Sequence, residues 1–168
     1  IGSVLQGHPD MKHIPGVDMS SGSLGQGISC AVGMALSAKH FGDNFKDYTR
    51  LGDGECEADM VKTAYPDIDL RYVRGNCDVR SGAPMSLLIE ADHGRKIYAT
   101  HGHMLEVKFG IGTILKEAKA QGASIVLFGH THERFSYYDS DSETYVLNPG
   151  SLSQPRDENL PSYAIIDI

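Results

Sequence analysis

The chain has little cysteine, a shortage of positive charge and no long hydrophobic run, and each shortage removes a class of protein. Cys30, Cys56 and Cys77 are the only cysteines in 168 residues, an odd number with no Cys-x-x-Cys spacing. That excludes a disulfide framework and a cysteine-rich structural zinc site, and it fits a reducing, cytoplasmic setting. Lys and Arg number 15 against 22 Asp and Glu, a formal net charge of −7 with His neutral. Nucleic acid is therefore not an expected partner, and a phosphate substrate would need local positive charge from a metal ion or an arginine. No apolar run is long enough to span a bilayer, so no membrane partner is expected. The N-terminus is polar and glycine-rich, unlike a signal peptide. The chain starts at Ile1 rather than Met, as a fragment or a processed chain would. No internal repeat is visible.

What is present is an ordinary globular composition, 40% hydrophobic and 22% charged, on a length that suits a single domain over 1–168. The 19 glycines fall mostly in short clusters, which mark tight turns and close backbone approach to ligands.

Periodicity divides the chain into elements. Residues 1–23 read as loops with a short strand near Gly16–Met19. Leu24, Ile28, Val32, Ala35 and Leu36 recur at helical spacing, with Ser23 as N-cap and Gly42 as terminator, so a helix is expected over 24–41. A strand is expected at Tyr48–Leu51 and a helix over 55–64, with Met60, Val61 and Ala64 on one face. Further strands are expected over 69–74, 85–90, 96–100, 124–128, 134–138, 144–147 and 162–167, and a helix over 107–121 with Ile111, Ile114, Leu115 and Ala118 inward. The two strands flanking Asp92–Arg95 read as a hairpin. This order, β/α first and β-rich later, implies a layered α/β sandwich with mixed sheets.

Several strands end in a candidate ligand. YTRL runs into Asp53, RYVRG into Asn76, IYAT into His101, and IVLFG into His130 and then His132. Ligands gather at the C-terminal ends of strands in layered α/β folds, so these five side chains can converge on one edge. Carboxylate, amide oxygen and imidazole together suit Mn, Fe, Co, Ni or Zn better than Ca or Mg. Singly, a Gly-Asp before a helix is most often a turn with an N-cap, Gly-Asn is commonly a turn, and His-Gly-His reads as polar loop. Gly-His-Thr-His is the sharper signal, with two histidines at i and i+2. His8, His13, His40 and His93 lack that context and read as surface or loop residues.

The text LGDG, RGNCD, THGH, FGHTH and NPGSLSQPR, closing on SYAIIDI, resembles the small calcineurin-like metallophosphoesterases of the YfcE-type phosphodiesterase branch over about 52–168. The resemblance implies a dinuclear centre with Asp53 bridging, Asn76, His101 and His130 on one ion and His132 on the other. It implies in-line attack on phosphorus by a water-derived nucleophile, with no catalytic residue beyond the metal ligands. Cys77 stands where larger relatives carry a histidine that protonates the leaving group, which favours substrates with good leaving groups. In the same comparison Asn148–Ser151 forms a turn beside the site and reads as structural.

That family opens with a strand ending in Asp-x-His, and no such pair occurs here. Residues 1–51 instead resemble the thiamine-diphosphate-binding half of transketolase, through LQGHPDMKHIPGVDMSSGSLGQGISCAVGMALSAKHFG running on to LGDGE. There the Gly-Asp-Gly aspartate binds the magnesium of thiamine diphosphate. LGDGE belongs to both patterns, so the chain reads as a chimera joined at a shared strand-end aspartate. The pyrimidine half of the transketolase pocket is absent, so thiamine diphosphate binding is the least expected of three readings. Asp18 falls near the lost aspartate but reads as a carboxylate in a glycine-rich loop. The expectation is a weakened metal-dependent phosphodiesterase with one or two transition-metal ions and a small phosphodiester substrate. The alternative is a non-catalytic scaffold, a role the same fold serves in the small subunit of retromer. Exposed strand edges make a homodimer an expected assembly.

Overall fold

The computed structural model describes residues 48–51, 55–66, 69–152, 154–158 and 160–166. The expected strand at Gly16–Met19, the helix over 24–41, Asp18 and Asp53 lie outside the described residues. No helix among the described residues is long and apolar enough to cross a membrane.

The first unit is β1 (Tyr48–Arg50), α1 (Glu55–Ala64) and β2 (Leu70–Tyr72), with β1 and β2 parallel and Thr49 opposite Arg71. A parallel pair needs a crossover, and α1 supplies it. Its bounds match the expected helix, but its buried face differs. Ala58 and Val61, one helical turn apart, are buried, whereas Ala64 is exposed. The Tyr72 hydroxyl donates to Asp59 Oδ1 at 2.6 Å and ties β2 to the helix.

The second unit is a five-stranded mixed sheet in the order β3-β4-β5-β7-β6. Its strands are β3 (Ser86–Glu90), β4 (Lys96–Thr100), β5 (Ile125–Phe128), β6 (Arg134–Asp139) and β7 (Thr144–Pro149). The pairs β3–β4 and β6–β7 are antiparallel, while β4–β5 and β5–β7 are parallel. The expected hairpin is present, and its turn holds the exposed His93 at φ 61°. The helix between β4 and β5, α2 (Gly112–Ala120), starts five residues later than the periodicity suggested. Residues 103–105 instead form a 3₁₀ turn, and Gly110 takes φ 142°, a conformation that no helix interior accommodates. The expected inward face of α2 is correct: Ile114 and Ala118 are fully buried, and Ile111 and Leu115 pack against them.

Register explains the layering. Ile97, Ile125 and Tyr145 lie side by side, as do Ala99, Leu127 and Leu147, so they share one face of the sheet. Leu51 and Val73, just past the ends of β1 and β2, pack on that face. The opposite face carries Tyr98, Val126, Phe128 and Val146 under α2. Burial on both faces is why Ile125–Phe128 is apolar at every position. Each such side chain contributes about 1.5–3 kcal/mol relative to exposure.

The expected strand over 162–167 is not formed across its described part. Residues 160–166 lack regular structure, and Ser162 N–H, donating to Ser151 O at 3.1 Å, ties them to the turn after β7. Strand propensity in Tyr163, Ile165 and Ile166 does not make a strand by itself, and among the described residues no strand pairs with this segment.

One titration follows from the core. Burial raises the Tyr98 phenol above its ordinary value of 10.0, opposed by a hydrogen bond with Ser86 and reinforced by the Glu117 carboxylate. The folded state then binds this proton more tightly than the unfolded state. The stabilisation is fully present below pH ~10 and is lost as pH rises through the higher folded value. Urea midpoints measured from about pH 8 to 11 should fall more steeply for the native chain than for Tyr98→Phe; parallel curves would contradict the assignment.

Candidate metal centre

The two sheets deliver three of the expected ligands to one place, Asn76 after β2 and His101 and His130 after β4 and β5. His101 follows β4 directly and is 1% exposed. Its Nδ1 lies 2.5 Å from the Leu51 carbonyl. A carbonyl only accepts, so Nδ1 carries the proton and Nε2 of a neutral ring presents a lone pair. That lone pair faces Asn76 Oδ1 at 2.9 Å and His130 Nδ1 at 3.1 Å. The Asn76 amide is oriented by its own Nδ2, which donates to Cys77 Sγ at 3.3 Å and so turns the oxygen toward His101.

An oxygen lone pair against a nitrogen lone pair is repulsive unless a proton or a metal cation lies between them. The donor set fits a transition-metal cation. With metal–nitrogen bonds of about 2.1 Å, neighbouring donors of an octahedral site stand about 3.0 Å apart, and the two separations are 2.9 and 3.1 Å. Among the described residues no three His, Cys, Asp or Glu side chains form a metal-holding group by themselves. The amide of Asn76 is the third donor of the described set.

His132 stands two residues beyond His130 on the same loop, without a ring contact to the cluster among the described residues. Its Nδ1 donates to the Gln154 carbonyl at 2.9 Å, which turns Nε2 away from that segment. Arg156 N–H donates to the His132 carbonyl at 2.9 Å, so the chain after β7 braces this histidine from both sides. His130 and His132 both take left-handed backbone conformations, φ 68° and 63°. Such conformations in non-glycine residues cost about 1–3 kcal/mol each and concentrate at functional sites.

Two residues here were not read as site residues from sequence. His103 lies in the 3₁₀ turn after β4, with its ring centroid 5.2 Å from His101 and 6.1 Å from His130. Its buried Nδ1 has no hydrogen-bond partner among the described residues. A buried orphan of this kind beside a ligand cluster is the mark of a site that receives a further group. Gly102 makes the turn possible: its φ is 97°, and a Cβ there would lie 2.8 Å from Val107 Cγ2. The second residue is Asn148, 1% exposed on β7, whose side chain holds the His130 loop. The text His-Gly-His held the signal for the first; the Asn-Pro-Gly-Ser text placed the second beside the site but read as a structural turn, without its hold on the His130 loop.

Comparison with known proteins divides the chain as the motifs do. The calcineurin-like phosphoesterase superfamily domain matches residues 37–168, and the transketolase thiamine diphosphate binding domain matches residues 1–54. The two matches overlap over residues 37–54, which take in the LGDG of the LGDGE stretch. The probable metallophosphoesterase YsnB of Bacillus subtilis is 34% identical over 114 residues, covering 67% of this chain and 66% of that protein. The transketolase of Halalkalibacterium halodurans is 44% identical over 64 residues, covering 32% of this chain and 10% of that protein. The chain thus spans about two thirds of the length of the first relative and a small part of the second. Among solved structures, a conserved uncharacterized protein of Streptococcus pneumoniae, a predicted phosphoesterase, superposes with TM-score 0.64 at 27% identity, over 80% of this chain and 71% of that one. Zinc-complexed Vps29 of Entamoeba histolytica superposes with TM-score 0.58 at 20% identity, over 76% and 71%, a likeness of fold.

Proposed function

Because the chain belongs to the calcineurin-like phosphoesterase superfamily, we propose that it is a metal-dependent phosphodiesterase whose centre is held by Asp53, Asn76, His101, His130 and His132. The observation that supports this most is the convergence of Asn76 Oδ1, His101 Nε2 and His130 Nδ1, with the His101 tautomer set by the Leu51 carbonyl. A divalent Mn, Fe, Co, Ni or Zn ion bound there supplies Lewis-acid stabilisation of the phosphoryl oxygens and activates water. The protein's own part is to hold these donors in register, with Asp53 as the one carboxylate among them, so that the bound ion keeps net positive charge within a chain of net charge −7. Asp53, Asn76, His101 and His130 make the stronger ion position. The other retains Asp53 and His132 without an Asp-x-His pair, so catalysis is slow.

Cys77 is exposed, and its S–H is a weaker hydrogen-bond donor than the imidazolium it replaces, so the substrate class is small phosphodiesters with good leaving groups. We place the protein in the cytoplasm, as a monomer or a homodimer paired through exposed strand edges.

The test is release of p-nitrophenolate from bis-p-nitrophenyl phosphate by metal-stripped protein titrated with Mn²⁺ or Ni²⁺. Turnover should rise with metal and fall about 100-fold in His130→Ala, since even outer partners of ligands are worth 10–100-fold. No metal-stimulated turnover, together with substoichiometric metal by mass spectrometry, would leave the second reading, a non-catalytic scaffold. The exposed apolar residues Leu160, Tyr163 and Ile165 beside the turn after β7 favour that reading in one respect, as a surface for another protein.

A further inference from the structure

We propose that Asn148 is the positioning residue for the two loop histidines, so that the Asn-Pro-Gly-Ser turn belongs to the site and is not only a fold element. The proposal rests on the ligand reading of His130 and His132 for its consequence, though not for its geometry.

Asn148 is 1% exposed, and its amide is fully used. Nδ2 donates to the Gly129 carbonyl at 3.0 Å and to Thr131 Oγ1 at 2.9 Å, while Oδ1 accepts from Gly150 N–H at 2.9 Å. Gly129 and Thr131 are the two neighbours of His130, so one side chain grips the loop on both sides of the ligand. The grip opposes a real tendency. His130 and His132 hold φ of 68° and 63°, where a side chain is disfavoured. The loop's own backbone provides one short closure, Thr131 N–H to the Gly129 carbonyl at 2.8 Å. Thr131 Oγ1 also accepts from Glu133 N–H at 3.2 Å, which carries the same hold on toward His132. Without the Asn148 amide, the Gly129 carbonyl loses a buried donor and the loop loses the grip that sets which way His130 Nδ1 faces.

Asn148→Asp keeps the volume and the acceptor for Gly150 but replaces both donor hydrogens with an oxygen that repels the Gly129 carbonyl. In metal-free protein, long-range ¹H–¹⁵N correlation spectra of the His130 ring should show the native Nδ1 signal displaced in the variant. With Co²⁺, the visible absorption spectrum should change and Kd should rise about 10-fold or more. A folded Asn148→Asp protein with unaltered His130 ring signals, Co²⁺ spectrum and Kd would overturn the proposal. Should Asn148→Asp fail to fold, Thr131→Val removes one of the two donor contacts from a partly exposed position. It should displace the same ring signals by less, and unmoved signals there would count equally against the proposal. Native protein that binds no Co²⁺ would refute the ligand reading instead, and the metal-free spectra would still decide the role of Asn148.

Discussion

His101→Ala should abolish metal-stimulated hydrolysis and also weaken the fold, the largest combined effect expected of any single substitution at this site. The ring is 1% exposed and joins three segments: the Leu51 carbonyl at the end of β1, Asn76 after β2, and His130 after β5. Truncation removes one donor of the metal position and leaves the Leu51 carbonyl buried without that partner. An orphaned buried acceptor costs about 1–3 kcal/mol, and the cavity adds to it. The expected loss is about 3 kcal/mol, or roughly 6–12 °C in Tm for a chain of this size. Phosphodiester turnover should fall at least about 100-fold. The informative partner is His101→Gln, which can still donate to Leu51 and should recover part of the stability without the activity. If both variants kept metal-dependent turnover, the cluster would not be the active site.

Gly129→Ala should be nearly as damaging, through backbone. A Cβ on Gly129 would stand 2.8 Å from the Leu51 carbonyl oxygen and 3.3 Å from Leu51 Cβ. The oxygen is main chain and cannot swing aside as a flexible side chain would, and it is also the acceptor that sets the His101 tautomer. Overpacking of this kind costs about 1–3 kcal/mol, and here the displaced atom supports a ligand, so metal affinity should fall together with stability. Gly112→Ala is the control. Nothing lies within 4 Å of its Cβ position at the start of α2, so it should be neutral or stabilise by about 0.4–1 kcal/mol. Equal melting curves for the two variants would mean that the close approach of β1 to the His130 loop is not real in solution.

Much of the architecture was legible along the chain. The bounds of α1, the β3–β4 hairpin and the doubly buried β5 follow from period and turn residues that act over a few positions. The failures are tertiary. Helix periodicity continued back to Val107, but Gly102 and Gly110 bend the backbone there, and Val107 is buried as part of a turn. The 162–167 segment has the alternation of a strand, yet a strand exists only against a neighbour. On α1, Met60, Val61 and Ala64 were expected to share the inner face, but Ala58 joins Val61 there and Ala64 does not, because packing selects which stripe of an amphipathic helix turns inward.

The sequence by itself determined the family and pointed to the candidate ligands, because Asn76, His101, His130 and His132 each follow an apolar run and sit in text whose meaning is local. It also determined that the chain carries two family patterns, which meet within residues 37–54, since identity in each part is carried by contiguous residues. Only the tertiary structure decided that Leu51 supports His101, that His103 lies beside the cluster, and that Asn148 holds the His130 loop. Those contacts join residues 17 to 50 positions apart, or turn on which way a side chain faces. No short-range pattern encodes such distances; the sheet order brings the strands together, and the hydrogen bonds follow from it.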